Sequence, residues 1–160
     1  RPLSEWARGD LRKYQLVVPN PLKSRYGTTM GANPHNAGRC KANVAFRKFF
    51  IFECDKLGPD VADADKVYPP EQAALLMLLG LEFPLAMIVD SAGKSLHGWF
   101  RVDPRTDGEL RGFFDRCFRL GADPQLETTA QFVRMPNGTR YSAGPPRLQR
   151  LLYFNTEVLR

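Results

Sequence analysis

The rhythm of hydrophobic and polar residues changes several times along the chain. From Arg47 to Asp55 the run RKFFIFECD is apolar and aromatic and ends in acids, the pattern of a buried strand. Acidic and proline-rich residues then lead to Pro70, a residue tolerated in the first turn of a helix. A helix is predicted from there to about Leu79, closed by Gly80 as a glycine cap. Pro84 to Asp90 (PLAMIVD) predicts a second buried strand, and a turn at Ser91-Ala-Gly-Lys94 joins it to a third, Ser95 to Val102, as an antiparallel hairpin. Thr106 to Leu120 places Leu110, Phe113, Phe114, Cys117 and Phe118 on one stripe, which predicts an amphipathic helix with Asp107 in its cap region and Gly121 at its end. Two more strands, Gln131 to Met135 and Leu148 to Phe154, flank the turn-rich Pro136-Asn-Gly-Thr139. Arg1 to Ala45 is irregular and basic, apart from a short strand within Tyr14 to Pro19. Its Gly27 to Asn36 stretch, with Arg39, Lys41 and Arg47 after it, reads equally as a mobile basic arm or a long surface connection.

Strands alternating with two helices, then hairpins, imply an α/β (α+β) sandwich with a mixed, largely antiparallel sheet flanked by helices. A chain of 160 residues suits one domain, since that length buries roughly 70% of its unfolded surface. No glycine-rich dinucleotide fingerprint and no Walker loop is present. The nearest approach, Ser91-Ala-Gly-Lys94-Ser95, leads into a strand and not a helix. No apolar run approaches the ~20 residues of a membrane span. Three cysteines without CxxC spacing argue against a disulfide framework or a zinc knuckle and fit a reducing, cytoplasmic setting. The chain starts at Arg1 without Met, so it reads as a fragment of a longer protein. A net charge of +6 ranks nucleic acid ahead of other partners.

Candidate chemistry sits on two strands. Alternation turns Ile51, Glu53 and Asp55 one way and Phe50, Phe52 and Cys54 the other, so two carboxylates converge at a strand end, where a metal ion or a basic partner would relieve their burial. Solvated acids at a strand terminus are the plainer alternative. On the hairpin strand Ser95, His97, Trp99 and Arg101 share a face. Lys94, Ser95 and His97 can donate to a phosphate chain, and Gly93 allows close backbone approach. A structural histidine is the plainer alternative there.

Taken together, Glu53-Cys-Asp55 and Ser95-Leu-His97 resemble the archaeo-eukaryotic primase superfamily, including the primase domains of phages, plasmids and mobile elements. The likeness spans roughly Arg39 to Asn155 and is carried by FFIFECD, DSAGKSLHGWFRVD and FVRMP. That family has an acid-x-acid motif at a strand end, a serine-x-histidine motif and a third acid after a hydrophobic residue. The resemblance assigns the third acid to Asp123 in Ala122-Asp123, with Glu127 as competitor, because the arginine of Phe132-Val-Arg134 follows at a similar distance. Glu53 stands where many members have Asp, and Ala92 replaces a glycine common in the turn.

What the resemblance implies is a primase or primer-extending polymerase. Glu53, Asp55 and Asp123 would hold two ions of magnesium or manganese, and Lys94, Ser95, His97 and Arg134 would bind the nucleoside triphosphate. Single-stranded DNA template and primer would be partners, as would a helicase or accessory domain in the parent replication protein. Arg39, Lys41, Arg47, Lys48, Arg147 and Arg150 are candidates for tracking the template. The main rival is a catalytically silent nucleic-acid-binding module of a replication initiator. A metal nuclease is disfavoured because two histidines, His35 and His97, form no cluster. A zinc site from His35 and Cys40 lacks further spaced ligands.

Overall fold

The computed structural model describes residues 9–24, 40–55, 69–142 and 144–159. The Gly27 to Asn36 stretch, His35 and Arg39 lie outside the described residues.

The described elements run β1 (Leu16–Val17), β2 (Phe49–Glu53), α1 (Pro69–Leu79), β3 (Leu85–Asp90), β4 (Leu96–Arg101), α2 (Arg111–Arg119), β5 (Val133–Arg134), β6 (Thr139–Arg140), β7 (Arg147–Leu148) and β8 (Leu151–Phe154), with short 3-10 turns between. The main sheet has the order β2-β4-β3-β8 and every neighbouring pair is antiparallel. Two small ribbons, β1-β5 and β6-β7, stand apart from it. The architecture is mixed α+β as expected, and each described strand pairing is antiparallel, with none of the parallel component that a mixed sheet would show.

Alternation along β2 sorts the core into two faces. Phe50 and Phe52 lie in one cluster with Cys54, Phe100, Leu76 and Leu79 of α1, and Phe113, Phe114 and Cys117 of α2, so both helices cover the same side of the sheet. Phe50 stacks on Phe114 at 4.6 Å between ring centroids and meets Phe113 edge-on at 5.7 Å, geometries favoured by the ring quadrupole. Phe49 and Ile51 face the other way, packing with Val89, Trp99, Leu126 and Val133. That second face carries the ribbons, and on it the candidate site is built.

Several boundaries differ from expectation for identifiable reasons. Gly80 is not in a left-handed cap conformation, a backbone class held among the described glycines by Gly121. A side chain at Gly80 would crowd Leu85 and the Met77 carbonyl, so close approach accounts for that glycine. Gly121, at φ 94°, does close its helix, and the Ala122 N–H bonds back to the Cys117 carbonyl at 2.9 Å, the six-to-one bond of a Schellman end. Helix α2 begins at Arg111, later than the pattern predicts. The preceding turn is closed by Thr106 and Glu109, whose side chains bond reciprocally. Asp107 is not its cap: it pairs with Arg47 at 2.6 Å. The strand expected over Gln131 to Met135 contracts to β5, and that expected over Leu148 to Phe154 divides into β7 and β8 around the fully buried Gln149.

Candidate functional site

Antiparallel register sets Glu53, the last residue of β2, directly opposite His97 of β4. The Ser95 hydroxyl donates to Glu53 Oε1 at 2.5 Å, and His97 Nε2 lies 3.2 Å from Glu53 Oε2. One carboxylate thus joins the acid motif to the serine-x-histidine motif. Ser95 and His97 are buried, and His97 Nδ1 has no hydrogen-bond partner among the described residues. Burial by itself would raise the Glu53 carboxyl. Contacts from His97 and Ser95 and the charge of Arg134 together outweigh it and hold the group at about 2, so Glu53 is an anion at neutral pH.

The turn between β3 and β4 is shaped for close approach. Asp90 Oδ1 accepts from the Ala92 N–H at 2.8 Å, and the Ser91 N–H donates to the Ser95 carbonyl at 3.1 Å. Ala92 adopts φ 53°, a left-handed conformation that glycine takes without steric cost. That explains why departure from glycine at this position matters to the backbone. A side chain at Gly93 would collide with the Arg140 guanidinium, whose Nη1 lies 3.5 Å from the Ser91 carbonyl. Lys94 is exposed at the rim of the turn.

Arg134 reaches the same place from β5. Its Nη1 is buried without a hydrogen-bond partner among the described residues. Burial and the neighbouring Arg140 charge draw its guanidinium below its ordinary value, and Glu53 draws it back up. Arg134 therefore faces the ionised Glu53, while Arg140, whose charge Arg134 senses, sits over the glycine turn. Such an arrangement suits a multiply charged anion with oxygen acceptors, because guanidinium groups present planar, bidentate donors. Arg140 was missed in the sequence, where it sits among turn residues with nothing to separate it from other surface arginines. It lies on the two-residue β6, opposite Arg147, and so short a strand carries no pattern that would have marked it.

The short strand expected within Tyr14 to Pro19 forms as β1 and supports this wall. Leu16 pairs with Arg134, the Met135 N–H bonds to the Gln15 carbonyl at 3.1 Å, and the Thr139 N–H bonds to the Tyr14 carbonyl at 3.1 Å. β1 thus braces the strand that carries Arg134 and the turn that leads to Arg140.

The acids are only partly assembled. Asp55 follows β2, and its Oδ1 is buried without a hydrogen-bond partner among the described residues. The Asp123 backbone N–H donates to the Glu53 carbonyl, while its carboxylate caps a 3-10 turn by accepting from the Gln125 N–H at 2.9 Å. Glu127, the competing third acid, pairs with Arg111 at 2.7 Å. Among the described residues no three His, Cys, Asp or Glu side chains gather closely enough to hold a metal ion. The carboxylate oxygens of Glu53, Asp55 and Asp123 are the donor type a hard divalent cation takes, carried on backbone that meets at the end of β2.

Of the expected template residues, Arg47 is a correction. It is buried, bonds Asp107 with two nitrogens, donates to the Glu127 carbonyl at 2.7 Å and lies over the Phe114 ring. It is a structural clamp, its Nε and Nη2 donors taken within the fold. Lys41, Arg147 and Arg150 are exposed. No helix of the described residues is long and apolar enough to cross a membrane. Comparisons with protein-family models, with curated proteins and with solved structures give no match.

Proposed function

We propose that this chain is a metal-dependent nucleotidyl transferase that joins nucleotides on a DNA template, as a primase or primer-extending polymerase. The observation that carries the reading is the single Glu53 carboxylate contacted by Ser95 and His97 and facing the charge of Arg134, with Arg140 over the adjoining Gly93 turn. It supplies an acid suited to a cation and a cluster of donors suited to a phosphate chain, side by side on one sheet face.

Glu53 and Asp55 would hold magnesium or manganese, with Asp123 as third donor once its carboxylate leaves the Gln125 N–H. When bound, such ions neutralise phosphate charge and favour ionisation of an attacking hydroxyl. The chain's own residues do the positioning. Ser95, His97, Lys94, Arg134 and Arg140 hold the triphosphate, so that the α-phosphorus faces a primer 3′-hydroxyl. The new P–O bond forms from that hydroxyl, whose proton passes to solvent water, the bond between the α-phosphorus and the bridging oxygen of the β-phosphate breaks, and pyrophosphate leaves. His97 is a phosphate donor in this scheme, not a base.

The test is incorporation of labelled nucleotides on single-stranded DNA, with and without primer, in magnesium and in manganese, beside Asp55→Ala. Metal-dependent incorporation lost in the variant supports the transferase, and the primer lanes assign its type. Silence in every lane while DNA still binds would replace this reading with a binding module of a larger replication protein.

A further inference from the structure

Helix α1 carries a buried glutamine that brackets the backbone of one of the residues assigned above. Gln72 is 1% exposed. Its Oε1 accepts from the Leu96 N–H at 2.6 Å, and its Nε2 donates to the Lys94 carbonyl at 3.2 Å. These are the residues on either side of Ser95.

The location follows from the sheet. β2 ends at Glu53, opposite His97, so β4 runs on toward the turn with no strand of the described residues beside it on that edge. The Ser95 carbonyl turns toward β3, where it accepts from the Ser91 N–H. Strand alternation then turns the Leu96 N–H and the Lys94 carbonyl the opposite way, past the end of β2. Left alone, these would be an unmatched donor and acceptor at a buried position, which is costly. The Gln72 amide, with one donor end and one acceptor end, takes the place of the missing strand. One helical turn further on, Leu76 packs so closely on Gly98 that a side chain there would collide with it, which fixes α1 against the same strand at a second point.

We propose that Gln72 is a positioning residue for nucleotide binding: it sets the Ser95 backbone, and through it the hydroxyl that meets Glu53 Oε1. The inference rests on the transferase reading. Ser95 is then held from both sides, by Ser91 on the β3 edge and by Gln72 on the other. The donor geometry for a phosphate is built before the ligand arrives.

The experiment is equilibrium binding of a non-hydrolysable deoxynucleoside triphosphate, together with KM and kcat for incorporation. It uses the wild type, Gln72→Met, Gln72→Glu, Ser95→Ala and the Gln72→Met/Ser95→Ala pair. Methionine keeps the volume and loses both bonds. Glutamate keeps the acceptor for the Leu96 N–H and loses the donor for the Lys94 carbonyl. The expected result is a nucleotide Kd and KM raised about 10-fold in Gln72→Met, as loss of a well-placed donor predicts. Glutamate, whose ionised carboxylate would set a negative oxygen against the Lys94 carbonyl, should give at least as large a rise, and single-stranded DNA affinity should be unchanged. In the Ser95→Ala background Gln72→Met should add less than 2-fold, because its effect passes through the missing hydroxyl, on the order that coupled sites show. An unchanged Kd in both Gln72 variants, or a full-sized effect in the Ser95→Ala background, would overturn the proposal. If methionine prevents folding, the glutamate variant carries the same comparison. A wild-type chain that binds no triphosphate would overturn the transferase reading and this inference with it, whereas wild-type binding matched by the variants overturns the inference alone.

Discussion

The backbone N–H of Asp123 donates to the carbonyl oxygen of Glu53 at 3.1 Å, so two candidate ligands far apart in sequence share one backbone bond. Chain geometry brings the third acid to the end of β2 while its carboxylate is engaged at the neighbouring turn. The two roles of Asp123 separate by substitution. Asp123→Asn retains a good capping side chain and should leave the urea unfolding midpoint near that of the wild type, yet lower incorporation at least about 100-fold, the scale set by losing one charge-stabilising group. Asp123→Ala should lose the same activity and about 1 kcal/mol of stability besides. Near-normal incorporation by the asparagine variant would remove Asp123 from the ligand set.

Arg140 occupies the space a side chain would fill at Gly93. If it grips phosphate, Arg140→Ala should raise the nucleotide KM roughly 10- to 100-fold, the range for loss of a charge-assisted bond, with kcat changed much less. Gly93→Ala should produce a similar defect by displacing the guanidinium. Steady-state kinetics at saturating DNA check both. Equal kcat and KM values for Arg140→Ala and the wild type would leave the guanidinium as packing alone.

Leu76 of α1 closes directly on Gly98 of β4, at full burial. Gly98→Ala should destabilise the fold by about 1–3 kcal/mol through overpacking, seen as a lower denaturant midpoint. The paired change Gly98→Ala with Leu76→Ala should cost less than the sum of the two single losses, since the smaller side chain at 76 relieves the clash while forfeiting its own contacts.

The Arg47 side chain is 6% exposed and its partner Asp107 55% exposed. The Arg47 guanidinium holds the Asp107 carboxyl below its ordinary 3.8, against a smaller opposing effect of burial. A lowered folded value means that this contribution to stability is complete above the unfolded value and disappears as pH falls through the folded one. Asp107→Asn should therefore cost roughly 1–2 kcal/mol at pH 7, discounted for the exposed partner. The gap between variant and wild-type unfolding midpoints should narrow steadily below pH 3.8. A gap independent of pH would mean that geometry, not charge, makes the contact.

Much of this was legible before any coordinates. The alternation of RKFFIFECD correctly separates Phe50 and Phe52, toward the helices, from Ile51 and Glu53, toward the ribbons. The stripe of Leu110, Phe113, Phe114 and Cys117 correctly marks the buried side of α2. Both signals are local, and side-chain period alone carries them. What the sequence hid depends on distant partners. Arg47 looks like any basic residue until Asp107 and Phe114 close over it. Gln72 looks like a polar residue in an apolar helix until the open edge of β4 supplies its partners. Arg134 was singled out by resemblance and Arg140 by nothing, because a two-residue strand such as β6 has too little pattern to announce itself.

The outer position of β8 bears on how the protein can be cut. Every site residue named here precedes Arg147, yet the outer edge of β3 is covered by Leu151–Phe154, by the Arg150 carbonyl accepting from Asp90 and by the Asn155 N–H donating to Ala86. A truncation that spared every ligand but ended before Leu151 would bare LAMIVD as an uncapped apolar edge, a template for self-association. Inclusion bodies from such a fragment would report a lost border strand, and say nothing about the chemistry.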